Sequence, residues 1–61
     1  MNRPYRDDEL KVVAKVRRYV VYFEKAVGDG TLDYARELWD EVAKLCEALG
    51  ELIVANDKGD V

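Results

Sequence analysis

The 61-residue chain contains no histidine, serine or glutamine, and only one cysteine, one proline and one threonine. Each absence closes a route. A lone Cys46 excludes an intrachain disulfide, and without histidine the chain lacks the commonest zinc ligand and the usual general base at neutral pH. No apolar run approaches the roughly 18 residues of a membrane-spanning segment, and the opening MNRPYRDDEL has no apolar stretch of signal-peptide type. The sequence therefore predicts a protein of the reducing cytoplasm, with no membrane contact and no cofactor. Scarce amides beside 38% charged residues match the compositional bias of hyperthermophile proteins.

What is present must make a fold from very little. A chain this short rarely buries enough apolar surface alone, and small folds add a disulfide, a metal or self-association. The first two are closed, so self-association is expected. The net charge of −3 hides an asymmetry that favours pairing the two halves. Residues 1–27 carry seven basic and four acidic side chains, and residues 28–61 carry three basic and nine acidic.

The hydrophobic pattern is helical throughout. Ala35, Leu38, Val42, Leu45, Leu49 and Leu52 recur at alternating steps of three and four, with Trp39, Cys46 and Ile53 beside them at steps of seven. Val13, Val16, Val20, Phe23 and Val27 repeat the three-four step in the first half, flanked by Val12, Tyr19 and Ala26. Asp7, Asp8 and Glu9 suit a helix N-terminus, where the dipole is positive. Gly28-Asp29-Gly30-Thr31 is the only internal break, with Gly28 fitting a left-handed helix end and Thr31 the N-cap of the next helix. These signals predict a single all-α domain: helix 1 over about 7–27, a turn at 28–31, helix 2 over about 32–55 and a frayed polar tail at 56–61. So short a turn makes the helices antiparallel neighbours.

Each helix carries more apolar surface than one neighbour can cover. On helix 1 the flanking residues lie roughly 60–100° to one side of the seam. Two stripes per helix fit a four-helix bundle, reached most simply by a two-fold homodimer of hairpins. The residues of both seams, with Trp39, Cys46 and Ile53, are assigned to the core and dimer interface. Cys46 reads as a small buried apolar residue rather than a nucleophile, since it lies mid-helix with no base beside it. Trp39 reads as core near the loop end, only partly buried. Leu10, Ala14 and Val21 form a further apolar shoulder, fitting either a dimer contact or a partner site.

Two charged lines remain. Asp33, Glu37, Asp40, Glu47 and Glu51 point away from the helix 2 seam with no histidine to join them, so no metal site or enzyme is expected. Lys11, Lys15, Arg18, Tyr22 and Lys25 step by four, three, four and three along the outer face of helix 1. Basic side chains with an interleaved aromatic suit phosphate contact and base stacking. In architecture alone this resembles the Rop-type RNA-binding repressors, dimers of helical hairpins that hold paired RNA loops with their first helices. The expected function is a small non-enzymatic adaptor or regulatory protein acting through the surface of a homodimeric bundle. The alternatives are the Rop-like nucleic-acid binder, implied by that resemblance, and a hairpin subunit of a heteromeric complex.

Overall fold

A computed structural model describes residues 3–59, which form two helices, α1 (Asp7–Asp29) and α2 (Leu32–Gly59), packed as a hairpin. There is no strand among the described residues, and no helix among them is long and apolar enough to cross a membrane.

The turn is tighter than its four polar residues suggest. α1 runs through Gly28 to Asp29, and Gly30, not Gly28, takes the left-handed conformation, at φ 78°. The reason lies in the hydrogen bonds. The Gly30 N–H donates to the Val27 carbonyl at 3.1 Å and the Thr31 N–H to the Ala26 carbonyl at 3.0 Å. This pair of bonds satisfies the last carbonyls of a helix and places the left-handed residue at Gly30. Thr31 then starts α2, its carbonyl accepting from the Ala35 N–H at 3.0 Å. Its hydroxyl does not cap α2; it donates back to the Ala26 carbonyl at 3.1 Å, tying the turn to α1.

Ala26, Ala35, Leu38 and Val42 are the buried apolar residues, and Tyr19 and Phe23 pack against them. Alanine on both helices near the turn lets the backbones approach closely. Farther from the turn the seam is less fully covered: Val13, Val16, Val20, Leu45, Leu49, Leu52 and Ile53 are half-buried. Three residues assigned to the core or dimer interface stand outside the hairpin core. Val27 is 47% exposed, Trp39 is 53% exposed although its ring lies 5.1 Å from that of Phe23, and Cys46 is exposed rather than buried. Two helices cover only one stripe of each other, and these three lie on the second stripe.

Helix α2 also runs past its expected end at Ala55. Asn56 and Asp57 are not frayed, because both bond to the start of the chain. Asp60 and Val61, the rest of the expected tail, lie outside the described residues.

Leu38→Ala should cost about 2–3 kcal/mol in chemical denaturation, since the site is buried but the surrounding layer is thin. The two turn glycines should respond with opposite signs. Gly30→Ala should lose about 1 kcal/mol, because its backbone is left-handed. Gly28→Ala should gain about 0.5–1 kcal/mol, because that position is helical and a Cβ there meets nothing within 4 Å.

Candidate functional site

Three surfaces of the hairpin carry chemistry or an unmet need for a partner. The first is a polar clamp at the open end, which the sequence pattern does not reveal. Glu9 is 0% exposed. Its carboxylate accepts both Arg3 terminal nitrogens, Nη1 at 2.8 Å and Nη2 at 2.7 Å. It also accepts the Arg6 backbone N–H at 2.9 Å and Asn56 Nδ2 at 2.8 Å. The same Arg3 donates through Nε to Asp57 at 2.7 Å. One arginine from the arm thus bridges the first turn of α1 and the last turn of α2. Asp8 joins from below, accepting the Glu9 N–H at 2.9 Å and Asn56 Nδ2 at 3.3 Å.

This accounts for the unusual helix start. Arg6 occupies the N-cap position with extended backbone, and arginine has no acceptor to offer the free N–H groups. The capping work falls to Glu9, which reaches back to the Arg6 N–H, and to Asp8. The sequence marks Glu9 only as part of an acidic helix start; nothing in it shows that Arg3 and Asn56 converge on this carboxylate.

The hydrogen bonds from Arg3 hold the Glu9 carboxyl at about 2, below its ordinary 4.5, against the opposing effect of burial. Arg3 is correspondingly raised, first by Glu9 and then by Asp57. Because the folded value lies below the unfolded one, this contribution to stability is fully present above pH 4.5. It is lost as pH falls through about 2.

The second surface is apolar. Val27, Leu32 and Trp39 line one shallow groove beside the turn, with Phe23, Ala35 and Arg36. Steps of seven carry that face along both helices, through Val20 and Val13 on α1 and through Cys46 and Ile53 on α2. Leu32 on this face is 66% exposed. The charged residues bordering this face, Arg17 and Glu24 on α1 with Arg36 and Glu47 on α2, make no ion pair or hydrogen bond through their side chains among the described residues. Leu10 and Val21 are exposed on the outer shoulder of α1, as their spacing predicts.

The third surface is the basic line. Lys11, Lys15, Arg18, Tyr22 and Lys25 are all exposed. None of the four cations meets a carboxylate among the described residues, so α2 does not neutralise them. Tyr22 stands edge-on to Tyr19, ring centres 6.2 Å apart. On the acidic side of α2, the described residues include no group of three or more acidic or thiol side chains placed to hold a metal. The chain matches no family model, no curated protein and no solved structure.

Thermal stability should fall progressively from about pH 5 toward pH 2, and Glu9→Gln should flatten that decline while lowering stability at neutral pH. Parallel pH profiles for the two proteins, read by circular dichroism, would show that the clamp contributes nothing.

Proposed function

We propose that this chain is a small non-enzymatic adaptor or regulatory protein whose working form is a homodimeric four-helix bundle. The observation that carries the reading is the amount of surface left uncovered. The hairpin exposes 5023 Å², whereas a compact monomer of 7.0 kDa exposes about 4,000 Å². Its radius of gyration is 14.1 Å, against about 10.5 Å for a compact chain of this length. The excess surface, about 1,000 Å², is comparable to the roughly 800 Å² that one partner gives up in an ordinary stable interface. An apolar face running the length of both helices is the natural place to lose it.

A second copy suits that face because its charged border holds both signs on each helix, so the face is complementary to itself. The dimer leaves the outer surfaces of α1 and α2 free, one basic with an aromatic and one acidic, and these serve as the adaptor surfaces.

A second reading rests on the unneutralised line of Lys11, Lys15, Arg18 and Lys25 with Tyr22. Four free cations over some 21 Å of helix, at 1.5 Å per residue, match a short stretch of nucleic-acid backbone. The chain's acidity works against strong nonspecific binding.

Sedimentation equilibrium under reducing conditions should give a dimer, and Trp39→Glu should give a monomer with weakened helix content. A monomeric wild type at micromolar to millimolar concentration would sink the homodimer and leave the heteromeric subunit. Lys15→Glu with Arg18→Glu should leave the dimer intact. If short RNA or DNA binds the wild type with steep salt dependence and not this variant, the basic line is the working surface.

A further inference from the structure

The two-fold bundle can be assembled in two ways. Each α1 can lie beside the partner's α1, or beside the partner's α2. We infer that α1 packs on α2 of the partner, with both turns at the same end of the bundle and the two α1 helices on a diagonal. This rests on the homodimer proposed above and fixes its helix order.

Three observations bear on it, and the first weighs most. The first is the charge of whole helices. Within Asp7–Asp29 there are five acidic and five basic residues, so α1 is neutral; within Leu32–Gly59 there are seven acidic and three basic, so α2 carries −4. Placing α2 beside its own copy sets two strongly negative helices in contact, whereas the alternating order keeps them on a diagonal.

The second is the relief of the two shoulders. On the α1 shoulder, Leu10 and Val21 project and Gly28 is a gap; on the α2 shoulder, Leu32 projects and Ala43 and Gly50 are gaps. The ring contact of Phe23 with Trp39 fixes which residues are level across the hairpin. Counting from that contact at 1.5 Å per residue puts Leu10 level with α2 between Gly50 and Val54, Val21 beside Ala43, and Gly28 near Leu32. When α1 lies on the partner's α2, Val21 and Leu32 fall beside gaps, and Leu10 falls between Gly50 and the exposed Val54. With like helices paired in the register that sets Arg17 against the partner's Glu24, Val21 meets its own copy, while Leu32 comes level with the partner's Gly50, so the relief separates the two orders only at Val21.

The third is the border charge. By the same levels, Arg17 lies within about 3 Å of the height of the partner's Glu47, and Glu24 within about 3 Å of the partner's Arg36. All four are unpaired in the hairpin and within side-chain reach of one another in this order. Each contact occurs twice in the dimer. The border charges by themselves also fit the other order, as Arg17 with the partner's Glu24 and Arg36 with the partner's Glu47. That ambiguity makes them a discriminating probe.

Charge exchange measured by sedimentation equilibrium separates the two orders. Arg17→Glu should weaken the dimer about tenfold, since two attractions become two repulsions. Adding Glu47→Arg should return the dissociation constant to within about threefold of wild type, while adding Glu24→Arg instead should weaken it further. The pair Glu24→Arg and Arg36→Glu repeats the test at the second contact, with circular dichroism confirming helix content. Rescue by Glu24→Arg but not by Glu47→Arg would overturn this order in favour of adjacent first helices, with the dimer itself still standing. Indifference of the dimer to all these exchanges would also overturn it. A monomeric wild type overturns the homodimer and the order together.

Discussion

A helix packed against a single neighbour buries one stripe of its surface, and the rest of this structure follows from that limit. α1 and α2 each bring two stripes. The pairing of the hairpin satisfies one, through Ala26, Ala35, Leu38 and Val42. The second stripe, from Val27 and Trp39 down to Cys46 and Ile53, is left facing outward or half covered. Neither a longer turn nor a different cap could bury it, because both act at the ends of the helices and the stripe runs along their sides. On the proposed reading, the stability missing from the hairpin comes from association.

The two ends of the hairpin are held by different physics. At the turn, backbone hydrogen bonds and a left-handed Gly30 close α1 in the smallest space available. At the open end there is no chain connection, and a buried carboxylate takes its place. Glu9 is fully covered yet accepts four hydrogen bonds, two of them from Arg3. Burying an ion pair is weak evidence for stability, because desolvation offsets much of the attraction. Its stronger effect here is positional. Only one register of α2 against α1 brings Asn56 and Asp57 to Glu9 and Arg3, so slipping the helices by a turn would leave a buried charge unpaired. The seam itself is mostly valine, leucine and alanine, which would tolerate such a slip more readily.

How much of this was legible depended on whether a feature was periodic. The helices, their antiparallel pairing and the surplus apolar stripe follow from steps of three, four and seven, which constrain many residues at once. Gly28 and Gly30 suit the left-handed turn equally by residue type, and only the bonds of Gly30 and Thr31 to Val27 and Ala26 decide between them. Asn56 and Asp57 read as a tail because they are polar and follow the last leucines. Their order comes from partners more than forty residues away, which no local pattern encodes. For the same reason the Arg3–Glu9 bridge was invisible: an acidic cluster at a helix start is expected from the dipole alone, and nothing local separates Glu9, which is buried, from Asp7 and Asp8, which are exposed. The basic line was legible as a line, but its freedom from α2 carboxylates became visible only with both helices in place.

Folding and assembly should then be a single event rather than two. If the second stripe is covered only in the dimer, the free energy of closing that face is part of the stability of the fold, and the apparent stability rises with protein concentration. The clamp at Glu9 acts within one chain and contributes equally at every concentration. In the proposed dimer the apolar face acts between chains and does not. The two contributions are therefore separable by dilution. Their positions also give them different work: the clamp sets the register of α2 on α1, and that register decides which level of the hairpin each border charge occupies. A slip at the open end would move Glu47 and Arg36 by about 5 Å relative to Arg17 and Glu24, one helical turn, and so uncouple the border contacts of the face as well.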